Sequence, residues 1–332
     1  MIVLGIETTC DETAIAVVED GRTIHTNLIA SQTDIHAEYG GVFPELACRR
    51  HIDIILPLIG QALKNTRLTC EDIDLIAVAR GPGLMGALLI GMTTAKTLSE
   101  AWNIPFVGVN HVEAHLYAAM MDHDPILPAV GVVLSGGHTA LLEIEQLGQY
   151  RLLGQTVDDA IGEAFDKVAA LLGLPYPGGP EVEKLARSGN PDAYPLKAGT
   201  VKGRPLDFSF SGLKTNVLYQ LKGQSGKRTD PDQLNPDQKA DLAASFQKTA
   251  FTDVVSKTIL AAENRPIYLG GGVTANQMLR KLFTETELDI HWPGPGLSID
   301  NAAMIAGLGY QVYQKRGADS LQLEAMPRCK IY

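Results

Sequence analysis

Two stretches of this chain repeat one plan, and that repetition limits the available folds more than any other feature. "IVLGIETTCDETAIAVVED" (2–20) is an apolar strand, a polar turn of hydroxyls and carboxylates, and a returning apolar strand. Near 124–130, "DPILPAVGVVLSGGHTALLEIEQLGQY" begins the same pattern again with a glycine turn. After each hairpin, helical patterns alternate with strands. The first half continues with a third strand in "RTIHTNLIAS", a helix over about 43–64, the strand "IDLIAVAR", a helix opened by "GPGLMG", the short strand "IPFVGV" and a helix carrying His111 and His115. The second half continues with helices at about 160–173, 180–188 and 237–263, the strand "PIYLGG", a helix over 275–286, the short strand "LDIHWP" and a last long helix from "SIDNAAMIAGLGYQVYQ". At 332 residues the chain is long for a single core. An α/β architecture of two related lobes follows, and the turns "ETTCDET" and "LSGGHT" are expected to line a cleft between them.

Charge and cysteine usage narrow the function. The formal net charge of −10 disfavours a stand-alone nucleic-acid binder, which needs clustered Lys and Arg against phosphates. The charge is uneven, however. Residues 197–228 carry Lys197, Lys202, Arg204, Lys214, Lys222, Lys227 and Arg228 against the single acid Asp207. That segment reads either as a solvated basic loop or as a local phosphate-contact surface. Cys10, Cys48, Cys70 and Cys329 are scattered without a CxxC pair, which points to a reducing, cytoplasmic compartment. The opening apolar run is too short for a signal peptide, and no apolar stretch has membrane-spanning length.

Three glycine-containing turns and one polar turn are candidate ligand contacts. In "ETTCDET", Thr8, Thr9 and Thr13 offer hydroxyls and Asp11 could hold a metal that bridges phosphate oxygens. In "LSGGH" (Leu134, Ser135, Gly136, Gly137 and His138) the glycines let backbone approach a ligand. "YPGGPEVEKLA" places Gly179 and Pro180 at a helix start with Glu183 expected in the first turn. "YLGGGVTANQ" sets glycines before a helix N-terminus, where Asn276 can bond a base or ribose. It lacks the GxxxxGK[ST] pattern of a Walker P-loop. Taken singly, each also fits an ordinary hairpin turn or helix cap.

His111 and His115 lie one turn apart in "NHVEAH". At about 100° per residue they share a helix face, while Glu113 points roughly 160–200° away. A zincin needs H-E-x-x-H, so this is a metal-type pair without that peptidase geometry. A third ligand is needed. Asp300 in "SIDNAAM" is the leading choice, but Ser298 or Asp300 could equally cap the last helix. Spacing alone does not separate Asp300 from Asp11, Asp158, Asp159 or Asp166.

Ten blocks in order give the chain a family resemblance: "GIETTCDETAIAV", "GGVFPELACRRH", "ARGPGL", "GVNHVEAH", "LSGGHT", "DDAIGEAFDKVA", "YPGGP", "FSFSGLKT", "GGGVTAN" and "SIDNAAMIA". Across nearly its whole length it resembles the TsaD family of tRNA adenosine threonylcarbamoyltransferases, formerly described as O-sialoglycoprotein endopeptidases. The resemblance implies the two-lobed actin/Hsp70/sugar-kinase ATPase-like fold, with duplicated RNase H-like lobes. It implies a first lobe over 1–124, on which a C-terminal helix at about 302–332 packs back. A second lobe over 125–301 would carry helical and basic insertions. It places metal ligands on His111, His115 and Asp300 and adenylate contacts on 134–138, Asp166, Gly179, Glu183 and Asn276, with Asp11 beside metal and phosphate. Cys48 stands where the family commonly has serine, and Glu183 where some members have Asp.

The activity so implied is transfer of threonylcarbamoyl from L-threonylcarbamoyl-AMP to N6 of adenosine 37 in tRNAs reading ANN codons. AMP leaves, and one divalent metal, Fe(2+) or Zn(2+), assists. The implied partners are a TsaB-like paralogue and a TsaE-like ATPase, in the cytoplasm and without a membrane. Three readings compete. A non-catalytic scaffold paralogue would lack the metal triad, a metallopeptidase would need Glu113 beside the histidines, and a sugar or acid kinase would not need HxxxH.

Overall fold

The computed structural model describes residues 1–222 and 234–332, and Lys227 and Arg228 of the basic segment lie outside them. The chain divides into two compact units, Met1–Pro125 with Leu147–Gln149 and Trp292–Tyr332, and Ile126–Gln146 with Tyr150–His291. Residues 292–301, read from sequence with the second lobe, cluster with the first unit, and Asp300 lies among them.

The first unit is built on a five-stranded sheet. Its strands are β1 (Ile2–Glu7), β2 (Glu12–Glu19), β3 (Thr23–Ser31), β4 (Leu75–Gly81) and β5 (Phe106–Asn110), in the order β3-β2-β1-β4-β5. β1 pairs antiparallel with β2 and parallel with β4, and β4 pairs parallel with β5. The central strands are apolar on both faces because both are covered. Leu4, Ile6, Ile76 and Val78 pack with Ile55 and Ile59 of α2 (Pro44–Thr66) and Met92 of α3 (Met85–Trp102). The alternate residue Gly5 faces the last helix, Ala302–Arg316. A Cβ at Gly5 would stand 2.3 Å from the Ala302 carbonyl oxygen, so glycine permits the close approach. Before α2 lies the short helix α1 (Thr33–Ala37), and after β5 comes α4 (His111–Tyr117).

The C-terminal segment departs from expectation. Helix ends at Arg316, and residues 317–332 run as an irregular tail along β4 and β5. Asp319 accepts the Gly108 N–H at 2.9 Å and pairs with Arg316. Met326 N–H bonds Arg80 O, Gly83 N–H bonds Pro327 O, and Asn110 Nδ2 donates to Cys329 O. Proximity to β-strand carbonyls and amides gives this tail its partners, so it needs no helix to satisfy its backbone.

The second unit repeats the sheet. Its strands are β6 (Ala129–Leu134), β7 (Thr139–Gln146), β8 (Gln149–Gln155), β9 (Ile267–Gly270) and β10 (Ile290–His291), in the order β10-β9-β6-β7-β8. β6 pairs antiparallel with β7 and parallel with β9, the pattern of β1 with β2 and β4. The helices are α5 (Ile161–Leu171), α6 (Gly178–Ala186), α7 (Ser211–Lys222), α8 (Pro236–Ala262) and α9 (Gln277–Thr284), followed in the first unit by α10 (Ala302–Arg316). Phe165 of α5 packs on Phe246 and Phe251 of α8, with ring centroids 4.9 and 5.2 Å apart. Helix α7 lies within the segment read as a basic loop. Asp158 holds its start by accepting from Ser209 Oγ, Ser211 Oγ and the Phe210 and Ser211 amides. Among the described residues no helix is long and apolar enough to cross a membrane.

Candidate metal centre and glycine-turn site

Helix α4 begins at His111 because Asn110 caps it, its side-chain oxygen accepting from the Val112 and Glu113 amides. Both histidines project from one face and are buried. Their rings meet edge to face with centroids 4.6 Å apart. Glu113 turns away and accepts the Gly148 N–H at 3.0 Å.

Asp300 arrives from the approach to α10. Neither Ser298 nor Asp300 caps that helix. Asn301 does, its side-chain oxygen accepting the Met304 N–H at 3.0 Å while its amide donates to Leu297 O and Ile299 O. Asp300 Oδ1 lies 3.0 Å from His115 Nε2 and 3.6 Å from His111 Nε2. Ligands bound at about 2.0–2.1 Å in a tetrahedral site stand about 3.3 Å apart, which these two spacings bracket. The three ligand atoms lie within 4.8 Å of one another. Although 3.0 Å is hydrogen-bond range, His115 Nε2 lacks hydrogen-bond alignment, and its buried ring nitrogens have no hydrogen-bond partner among the described residues. An orphaned buried ring nitrogen is expected where a cation supplies the partner. The donor set of two imidazoles and a carboxylate suits a divalent transition metal and leaves coordination positions for a ligand.

The surrounding charges are acidic. Burial alone would depress the His111 imidazolium, but the Glu7 and Asp300 charges and the Glu7 hydrogen bond outweigh it and carry the ring up to about 9. A divalent cation would compete with that proton. Glu12 is pushed up to about 9 by burial, then by the Asp11 and Asp300 charges. Cys10 is likewise driven far up by burial and the same two acids. Asp11 and Asp300 therefore share one electrostatic neighbourhood. His51 of α2, fully buried, ties this turn down through Thr13 Oγ1 at 2.8 Å and Cys10 O at 3.0 Å.

The remaining predicted contacts lie in the second unit, and most already have internal partners. In the 134–138 turn the Ser135 N–H bonds His138 O, and the His138 N–H bonds Ser135 Oγ. The exposed Gly136 and Gly137 amides have no acceptor among the described residues. The N-terminus of α5 presses on this turn, since a Cβ at Gly162 would stand 2.7 Å from Gly136 Cα. Asp166 accepts the Gly178 N–H at 2.7 Å. Glu183 lies in the second turn of α6, not the first, and accepts the Gln277 N–H at 3.0 Å. Asn276 caps α9 through the Met278 and Leu279 amides and donates to Gln247 at 2.9 Å. A Cβ at Gly179, Gly136 or Gly137 would meet nothing within 4 Å among the described residues, so packing against those residues does not account for these glycines.

Of the alternative acids, Asp158 and Asp159 serve other structure. Asp159 pairs with Lys167 and Lys214, at 2.5 and 2.8 Å. Sequence reasoning missed Glu7. It ends an otherwise apolar strand, has a side chain 1% exposed, and lies 2.9 Å from His111 Nδ1. A carboxylate inside a buried run was the available signal.

Comparison with known proteins places these features. Residues 23–307 match the family described as "TsaD: tRNA N6-adenosine threonylcarbamoyltransferase". The tRNA N6-adenosine threonylcarbamoyltransferase of Protochlamydia amoebophila (strain UWE25) is 60% identical over 339 residues, covering 100% of this chain and 98% of that one. That of Chlamydia pneumoniae is 48% identical over 324 residues, covering 96% and 93%. Among solved structures, full-length HypF in its phosphate- and nucleotide-bound form aligns with a TM-score of 0.62 at 13% identity, covering 96% of this chain and 56% of that one. The activator of the 2-hydroxyisocaproyl-CoA dehydratase from Clostridium difficile, with bound ADPNP, aligns at 0.54 and 12% identity, covering 95% and 96%. These likenesses show the fold, the two-lobed ATPase-like architecture of the actin/Hsp70/sugar-kinase group. The chain belongs to the tRNA N6-adenosine threonylcarbamoyltransferase family and is a transferase.

Proposed function

We propose that this enzyme moves the threonylcarbamoyl group of L-threonylcarbamoyl-AMP to N6 of adenosine 37 in tRNAs that read ANN codons. The carbamoyl carbon forms a bond to N6, its bond to the phosphate oxygen breaks, AMP leaves and N6 gives up a proton. The observation that carries this reading is the convergence of His111, His115 and Asp300 in a chain of this family.

We assign one Fe(2+) or Zn(2+) to His111, His115 and Asp300, where it would supply Lewis acidity toward a carbonyl or phosphate oxygen. Adenylate binding is assigned to the turn Leu134, Ser135, Gly136, Gly137 and His138, with Asp166, Gly179, Glu183 and Asn276. Within that set the Gly136 and Gly137 amides are the donors suited to an anionic oxygen. Asp166, Glu183 and Asn276 act chiefly by holding α6 and α9 in place, because their side chains brace those helix starts. Asp11 is our choice for the group that accepts the N6 proton. Adenine N6 is a weak nucleophile, so orientation must supply much of the rate. A TsaB-like paralogue and a TsaE-like ATPase are the partners we assign, in the cytoplasm.

A scaffold role is disfavoured by the presence of all three ligand-type residues, and an HExxH peptidase by the engagement of Glu113 with Gly148. The test is reconstitution with threonylcarbamoyl-AMP, the two partners and unmodified ANN-reading tRNA, followed by nucleoside mass analysis. Threonylcarbamoyladenosine is expected with the native chain and not with His111→Ala. Its absence with the native chain, using partners proven with another family member, would reject the proposal.

A further inference from the structure

We infer that Glu7 is a positioning residue for the metal centre: its carboxylate accepts the Nδ1–H of His111 and so presents Nε2 of that ring as the lone-pair ligand. The inference rests on the metal reading of His111, His115 and Asp300.

Glu7 is the last residue of β1 and is wholly buried. Both of its oxygens are engaged. Oε2 lies 2.9 Å from His111 Nδ1, and Oε1 accepts the Thr9 N–H. A dehydrated carboxylate is costly, and a strand end could be completed more cheaply by an amide or an apolar residue. What a carboxylate adds here is direction. A neutral imidazole carries one proton and one lone pair, and an acceptor at Nδ1 fixes the proton there. The lone pair then falls on Nε2, the nitrogen 3.6 Å from Asp300 Oδ1. Thr9 Oγ1 lies 3.4 Å from the same Nδ1, a longer and weaker contact than the 2.9 Å one to Glu7. Among the described residues His115 has no hydrogen-bond partner on either nitrogen, so packing orients it, edge to face against the His111 ring. Glu7 therefore sets one ring directly and supports the other through it.

The test is a double-mutant cycle on the full-length protein, with Zn(2+) as probe in competition with a chromophoric chelator. The four proteins are the native chain, Glu7→Gln, His111→Ala and the double variant. Glu7→Gln keeps the size and an acceptor for Thr9, but its amide can donate into Nδ1 and move the ring proton to Nε2. A loss of roughly 10–100-fold is expected for Glu7→Gln. In the His111→Ala background the same change should cost nothing further. Native affinity in Glu7→Gln, or an equal loss in both backgrounds, overturns the inference, because the acid then acts without His111. Native affinity in His111→Ala overturns the metal reading instead. Should Glu7→Gln fail to fold, proton NMR of the Co(2+)-loaded native chain decides. A slowly exchanging, paramagnetically shifted N–H signal that His111→Ala lacks supports the hydrogen bond, and its absence from the native chain overturns it.

Discussion

Asp300 and Asn301 are neighbours with opposite duties. Asn301 is fully buried and makes three hydrogen bonds around the start of α10, while Asp300 faces two histidines. Substituting each should separate stability from chemistry. Asn301→Ala should lower unfolding stability by about 1–2 kcal/mol in urea titrations. Asp300→Ala should leave the metal-free protein near native stability yet weaken Zn(2+) binding by more than the roughly 10–100-fold that an outer-sphere partner costs. Elemental analysis after dialysis would show it. The histidine pair was legible in sequence because helix periodicity is local. Asp300 was named as the leading third ligand and by the resemblance, but spacing did not single it out, because two polar residues before a helix both look like caps, and only the fold decides which residue caps. Glu7 was hidden for a related reason, since a strand-end acid reads as the start of a turn until its partner is known.

At the scale of elements, the tail at 317–332 and the start of α5 each make a separable prediction. Burial raises the Asp319 carboxyl, but its bonds to Arg316 and the Gly108 N–H outweigh this and hold it below the ordinary value of 3.8. A depressed carboxylate stabilises the fold above the unfolded value and loses that contribution as pH falls through the folded one. Asp319→Asn should therefore cost about 1–3 kcal/mol at pH 7, with the gap to native closing only below 3.8. Urea midpoints across that range would measure it. Gly162→Ala should force the 135–136 turn away from α5. AMP binding by calorimetry should weaken at least several-fold while Zn(2+) affinity stays native. Most strands and helices were readable from period and turn residues. Helix α7 was not, because its apolar face is weak among lysines and Asp158 holds its start from a distant loop. The irregular course of the tail was not readable either, because its partners are strand amides and carbonyls far away in sequence.

For the whole chain, the repeated hairpin was readable at once, since a buried strand, polar turn and returning strand is a strong local pattern; the strand order that the two sheets share was not, because parallel pairing joins strands far apart in sequence. Net charge of −10 left tRNA recognition to local patches. Within the basic segment, Arg204 pairs with Asp207 and Lys214 with Asp159, which reduces what those two offer a phosphate. Lys197 and Lys202 are the more promising contacts. Changing both to Glu should weaken tRNA binding and lower the slope of log affinity against log salt by about 0.7–0.9 for each phosphate no longer neutralised. An unchanged slope would exclude this surface.

The meeting of Gly5 with Ala302, and of His115 with Asp300, also sets an order of assembly. The entire second unit lies between these partners in sequence. On the ribosome, the first sheet can pair its own strands early, but α10 reaches it only after the intervening unit has emerged. Until then β1 keeps a bare face, and the histidines wait without their carboxylate. A nascent chain stalled before residue 300 should therefore expose a sticky sheet surface and bind no metal, which makes it a substrate for holdase chaperones.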